Sequence, residues 1–338
     1  MSEQIAIDAM GGDYAPREIV LGALDAVRRD GIPVVLVGDE AQIRPLVEAE
    51  GMQDHPSVTI HHALQTIEMD EHPAMAFRKK KDASVSVCAR LVKDGTCGAM
   101  IAPGSTGAAV TVGLFGLGRI PGIHRPAIAS VLPNEKGGLT LLIDAGASTQ
   151  PEMKNLLQNA LLGHYYAKEV YGIARPRVGL LNVGTESTKG NALITETYAA
   201  MQEQTQYEFI GNVEGREVLG GDVDVVVCDG FTGNALLKFG EGLARMFFTL
   251  MKDAVMTGGW RAKLGAWLLR PALRAMKRRV DYKEYGGAML LGVNGGLVIC
   301  HGASDRRAIA NATRLAAKMT ASRAHEKVRA ALAAEAES

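Results

Sequence analysis

Apolar and polar positions fall into two rhythms along the first half of the chain. Short continuous apolar runs alternate with stretches in which apolar residues recur every three or four positions. The first kind reads as strands buried on both faces, the second as amphipathic helices. Strands are predicted over 4–9, 33–38, 58–61 and 99–102, and helices over 16–29, 42–50, 85–93 and 108–117. Pro16 suits the first position of its helix. Repeated strand–helix units predict a mainly parallel sheet covered on both sides.

The middle of the chain breaks this rhythm. Apolar runs over 127–132 and Leu139–Ile143 flank Asn134-Glu135-Lys136-Gly137-Gly138, a good hairpin turn, so at least one antiparallel excursion is expected. Helices over 152–171, 191–203, 235–251 and 304–334 and strands over 178–183, 208–211 and 224–228 complete the pattern. No internal repeat or low-complexity linker interrupts it. The reading is therefore one α/β domain over 1–338, with a basic amphipathic helical insertion at about 245–285.

That insertion stands apart in chemistry. Residues 258–280 carry Arg261, Lys263, Arg270, Arg274, Lys277, Arg278 and Arg279 and no acidic residue. Leu264, Trp267 and Leu268 share one helical face, Trp260 precedes them, and both tryptophans of the chain are here. The segment reads as a solvated basic helix packed on the core, a membrane-surface helix, or a docking face for an acidic partner.

Composition narrows the field. Lys+Arg and Asp+Glu are both 37, so no global nucleic-acid footprint exists. The four cysteines, Cys88, Cys97, Cys228 and Cys300, form no C-x-x-C pair and no zinc spacing, as expected of reduced, mostly buried thiols in a cytosolic protein. No metal and no cofactor are expected. Ser2-Glu3-Gln4 runs straight into a strand without a signal peptide, and no run of about 18 apolar residues spans a membrane.

The 39 glycines matter more, because many sit where a strand meets a helix. There, small residues let an anion approach backbone N–H groups and a helix N-terminus. Asp229-Gly230-Phe231-Thr232-Gly233-Asn234 is the strongest case. Asn234 can donate to an oxyanion or simply cap a helix, and Asp229 can orient a donor. Asp8-Ala9-Met10-Gly11-Gly12-Asp13 and Gly104-Ser105-Thr106-Gly107 repeat the device, and each is equally readable as a turn with a helix cap. Lys189, beside Gly190, can set a cation against phosphate oxygens or remain a solvated lysine. His301 at another strand–helix junction can move a proton or pack. Arg125 is a further basic spot, free to bind an anion or form an ion pair. Cys228 ends an all-apolar strand and reads as a buried thiol rather than a nucleophile.

Together these motifs resemble the PlsX family of bacterial phosphate acyltransferases over nearly the whole chain. The resemblance is carried by Asp8 to Asp13 with Pro16, Gly104 to Ala108, Asp144-Ala145-Gly146-Ala147, and Leu180-Leu181-Asn182-Val183-Gly184 with Glu186 and Lys189-Gly190. It continues through Gly211-Asn212-Val213-Glu214-Gly215, Asp229 to Asn234 with Leu237-Lys238, Gly287 to Gly292, and His301-Gly302. Asparagine is usual in that family where Ser148 stands. The resemblance implies an α/β/α sandwich related to phosphotransacetylases and isopropylmalate-type dehydrogenases. It also implies a homodimer and a cytoplasmic enzyme held peripherally at the membrane. Such an enzyme passes a fatty acyl group reversibly from acyl carrier protein to inorganic phosphate, for a membrane glycerol-phosphate acyltransferase to use. In that reading Lys189, Asn234, Asp229 and His301 serve catalysis. Asp8, Gly11, Gly12, Ser105, Thr106, Gly107 and Gly233 hold phosphate. Trp260, Arg261, Lys263, Leu264, Trp267, Leu268 and Arg270 meet membrane or carrier. The competing readings are a nicotinamide-dependent dehydrogenase on a related sheet, a non-catalytic lipid-surface protein, and a phosphotransacetylase acting on coenzyme A thioesters.

Overall fold

Each strand–helix unit of the first third forms, and each helix crosses back so that neighbouring strands run parallel. The structure, a computed structural model, describes residues 3–68 and 71–337. Strands β1 (Ile5–Asp8), β2 (Val34–Gly38), β3 (Val58–His62) and β4 (Ala99–Pro103) are interleaved with helices α1 (Arg17–Asp30), α2 (Glu40–Ala49), α3 (Pro73–Lys79), α4 (Ser84–Lys93) and α5 (Thr106–Val112). Then follow β5 (Ala127–Pro133), β6 (Leu139–Ile143), α6 (Met153–Glu169), β7 (Arg177–Leu181), α7 (Ala192–Gln202), β8 (Glu208–Val213) and β9 (Val225–Val227). The chain ends with α8 (Gly230–Thr257), α9 (Gly259–Val280), β10 (Ala288–Leu291), β11 (Gly296–Cys300), α10 (Arg306–Ser322) and α11 (Ala324–Glu337).

Among the described residues the strands form one sheet in the order β3-β2-β1-β4-β11-β10-β5-β6-β9-β7-β8. The expected hairpin joins β5 to β6 through Asn134–Gly138 hydrogen bonds. β10 is antiparallel to both β11 and β5. Three antiparallel steps in succession reverse the strand direction. β1 to β4 and β11 therefore point one way, and β6, β9, β7 and β8 the other.

One face of the sheet is covered by α1, α6 and α10, packed on Ile5, Ile7, Ile101, Ile143 and Val227. The other is covered by α4 and α5 over Met100, Ile128 and Leu290, and by the start of α8, whose Leu236 and Leu237 pack near Leu142 and Val226. The caps are ordinary: Asp39, Ser105 and Asp305 accept N–H bonds at the starts of α2, α5 and α10. Helices α1 and α10 approach closely at Gly22, where a Cβ would lie 2.5 Å from the Arg306 carbonyl oxygen. Arg306 also forks onto Asp25 at 2.6 and 2.7 Å, and that hydrogen bond holds the Asp25 carboxyl below its ordinary range.

Several boundaries differ from the sequence reading. The helix expected over 108–117 starts two residues earlier, ends as α5 at Val112 and continues into a wider π-type turn, Gly113–Leu117, with Gly113 pressed on Leu290. The final helix breaks at Arg323, which adopts the left-handed conformation (φ 51°), so α10 and α11 are separate. Helix α3, opened by Pro73, was not foreseen. Helices α8 and α9 pack on each other, and α9 buries no residue, so it is not packed on the core. Its end is tied down where Arg279 donates to the Asn134 carbonyl (2.7 Å) and accepts from the Tyr285 hydroxyl (2.6 Å).

Two stability outcomes follow from this packing. Gly22→Ala forces α1 off α10 and should destabilise the fold by about 1–3 kcal/mol, read as a melting point several degrees lower. Asp8 at the end of β1 is buried, which pushes its carboxyl up to about 6. The folded chain then holds a proton that the unfolded chain has released, so stability falls as pH rises through that window. Melting curves should show Asp8→Asn gaining on the wild type from pH 4.5 to 7; a constant gap between them would contradict this.

Candidate active site

The reversal of the sheet sorts the candidate residues into two groups. β1, β4 and β11 are neighbours, and the loops leaving their C-terminal ends meet at one edge. Asp13 N–H donates to the Gly302 carbonyl (2.8 Å), and Gly104 N–H to the Cys300 carbonyl (3.2 Å). A Cβ on Gly12 would lie 3.0 Å from the Gly302 oxygen, and one on Gly11 would collide with the Pro103 carbonyl. Asp8, Gly11, Gly12, Ser105, Thr106, Gly107 and His301 thus belong to one cluster. Ser105 caps α5 by accepting the Ala108 N–H at 3.3 Å, while Thr106 and Gly107 are exposed, Gly107 beneath Pro73 of α3. His301 is exposed, and its Nδ1 accepts the Ala303 N–H at 3.1 Å.

The second group lies at the opposite edge, where β6, β9 and β7 end side by side. It holds 144–148, Lys189 on the 182–190 loop, and 229–234 at the start of α8. β4 and β9 are five strand spacings apart, ~24 Å across the sheet. One chain therefore does not bring Lys189, Asp229, Gly233 and Asn234 to the same point as Gly11, Ser105 and His301.

At this second edge Asp229 is a helix cap. It accepts the Thr232 N–H at 2.9 Å and the Thr232 hydroxyl at 2.5 Å, so both carboxylate oxygens are engaged within the turn. Gly230 N–H donates to the Ser148 carbonyl at 2.8 Å. Two of the first three N–H groups of α8 are thus already met, and an anion here depends on side chains more than on the helix end. Three side chains offer themselves. Asn234 is exposed on the first turn of α8, beside Gly146. Lys189 is exposed on a loop closed by Asn182, which donates to the Lys189 carbonyl at 3.0 Å, and by Asn212, which donates to the Glu186 carbonyl at 2.9 Å. Arg125, just before β5, donates to Ser148 Oγ at 2.9 Å.

Sequence reasoning singled out no role for Asp144. Its side chain is 1% exposed and accepts four backbone N–H bonds: Ile128, Gly146 and Ala147 on Oδ1, Ser148 on Oδ2. Burial pushes the carboxyl up, and the four N–H groups oppose this. Its carbonyl oxygen accepts the Cys228 thiol at 3.4 Å and leaves no room for a Cβ on Gly233. Cys228 is buried, and burial pushes its thiol far up, so it is structural. The signal for Asp144 lay in the sequence only as an acid directly after a strand and before Gly146. Among the described residues no three His, Cys, Asp or Glu side chains cluster to hold a metal.

The sequence matches the fatty acid synthesis protein family over residues 3–327. A phosphate acyltransferase of Pelotomaculum thermopropionicum is 51% identical over 329 residues, covering 97% of this chain and 95% of the relative. Among solved structures, a phosphotransacetylase from Streptococcus pyogenes aligns with a TM-score of 0.64 at 16% identity, over 95% of this chain and 94% of the other. A putative 4-hydroxythreonine-4-phosphate dehydrogenase from Salmonella typhimurium aligns with a TM-score of 0.51 at 15% identity, over 94% of this chain and 100% of the other. These two share the α/β fold of this chain, the mostly parallel sheet included. The chain itself belongs to the fatty acid synthesis protein family of PlsX type, and it is an acyltransferase.

Proposed function

We propose that this enzyme transfers a fatty acyl group reversibly from acyl-acyl carrier protein to inorganic phosphate, giving acyl phosphate for phospholipid synthesis. The observation that carries this reading is that Lys189, Asn234 and Arg125 all sit at the same edge of the neighbouring strands β7, β9, β6 and β5, in a chain half identical to a phosphate acyltransferase. A phosphate oxygen attacks the thioester carbonyl carbon and a tetrahedral oxyanion forms. The C–S bond then breaks with its electron pair on sulfur, and the proton of hydrogen phosphate passes to the thiolate or to water. A thiol has a pKa of about 8.5, so departure needs no strong general acid. The work that remains is holding phosphate close and neutralising charge. Lys189 faces phosphate or the oxyanion, and Asn234 donates to the oxyanion. Asp229 holds the turn that presents Asn234. The cluster of Asp8, Gly11, Gly12, Ser105, Thr106, Gly107 and His301 is left for a second anionic group of the acyl donor or for a second chain of a homodimer.

The α8–α9 pair supports a peripheral place at the cytoplasmic membrane, near a membrane glycerol-phosphate acyltransferase. Trp260 and Trp267 are about two-thirds exposed (70% and 67%), with Leu264 and Leu268 beside them. Arg261, Lys263 and Arg270 add positive charge suited to anionic lipid or to an acidic carrier. Among the described residues no helix is long and apolar enough to cross a membrane. Family membership sets aside the dehydrogenase and the non-catalytic readings, since the related sheets carry different chemistries. The phosphotransacetylase reading differs only in the thioester donor.

Phosphate-dependent thiol release should occur with palmitoyl-acyl carrier protein and not with palmitoyl-coenzyme A; release from the coenzyme A thioester alone would overturn the donor assignment. Lys189→Ala should lower kcat/KM about a hundred-fold or more in that assay, and unchanged turnover would remove Lys189 from the mechanism. Trp260→Asp combined with Trp267→Asp should abolish flotation with anionic vesicles, whereas retained flotation would refute the membrane role.

A further inference from the structure

We propose that Asp144 is the positioning residue that sets Asn234 for acyl transfer; this rests on the role given to Asn234 above. Asp144 does not face the reacting groups. Its carboxylate lies beneath the 145–148 turn, and every backbone N–H of that turn beyond Ala145 is drawn onto it. Ala145 N–H instead donates to the Ile128 carbonyl (2.8 Å), while Ile128 N–H donates to Asp144 (3.0 Å). The turn is therefore pinned to β5 as well as to its own strand.

This pinned turn is the surface against which α8 starts. Ser148 offers its carbonyl to the first N–H of the helix. Gly233 seats directly on the Asp144 carbonyl, where no side chain fits, and a Cβ on Gly230 would meet Asp144 Oδ2 at 2.8 Å. Gly146, held in a conformation that favours glycine (φ 137°), lies against Asn234: a Cβ there would sit 3.7 Å from Asn234 Cβ and 3.8 Å from its Oδ1. The path from Asp144 to Asn234 is thus two contacts long, through Gly146 and through Gly233.

Asp144→Asn tests this by changing one acceptor. An amide keeps its size and can hold the three N–H groups on its oxygen. Its nitrogen then faces the Ser148 N–H, which approaches Oδ2 at 2.7 Å in the wild type, donor against donor. The loss should be read as a double-mutant cycle with Asn234→Ala. Asn234→Ala alone should lower kcat about a hundred-fold or more. Asp144→Asn should lower kcat by at least about ten-fold in the wild type, yet by less than about two- to three-fold in the Asn234→Ala background. Equal losses in both backgrounds would mean that Asp144 acts on stability or elsewhere, and would overturn the proposal. So would an Asp144→Asn enzyme with unchanged kcat. If Asp144→Asn does not fold, Gly146→Ala disturbs the same path by a strained Cβ beside Asn234, and the same coupling is required of it. Failure of the underlying reading looks different: Asn234→Ala would then be as active as the wild type, or wild-type thiol release would be independent of phosphate.

Discussion

The organisation of this protein depends on the antiparallel steps at the centre of its sheet. β10 runs against both β11 and β5, and β5 runs against β6, so after these three steps the parallel half begun by β1 cannot continue in the same sense. In an open parallel sheet the binding loops gather at the carboxyl ends of the strands. Here there are two sets of carboxyl ends, facing opposite ways. The chain consequently builds two clusters of glycine-rich turns, each from three adjacent strands, joined by one apolar layer on one face and by two apolar clusters that share Leu237 on the other.

The turns at β6, β9 and β7 are held by hydrogen bonds with side chains other than Lys189 and Asn234. Amide and carboxylate groups supply them: buried Asp144 collects four N–H groups, and half-buried Asn182 and buried Asn212 close the lysine loop. Each substitutes for the regular backbone partners that a turn lacks. Lys189 and Asn234, which face outward, thereby inherit a fixed backbone while their own side chains remain exposed to a substrate.

Much of this was legible along the chain. The strand–helix rhythm, the Asn134–Gly138 hairpin and the position of each glycine turn rest on local chemistry, and local chemistry is what periodicity reports. What escaped depended on partners far away in sequence. The edge to which a loop belongs depends on how many antiparallel steps separate its strand from another, and β10 enters the sheet some 150 residues after β5. Asp144 looked like part of a turn because one of its four donors, Ile128, lies 16 residues earlier and on another strand. The cap foreseen at Asn234 belongs instead to Asp229, which reads in the sequence only as orienting a donor, since Thr232 stands three residues on. The break at Arg323 had no Gly or Pro to announce it.

Helix α8 has one end in each of two environments. Its first turn is seated on the Asp144 loop, and its last lies at the outer end of an exposed helical pair. At 1.5 Å per residue its 28 residues make a rod ~42 Å long. Such a rod is a lever with its fulcrum at the small, close-packed contacts of Gly230 and Gly233. A tilt of one degree at that fulcrum moves the far tip by ~0.7 Å. Conversely, a large excursion of the tip becomes a small rotation beside Asn234.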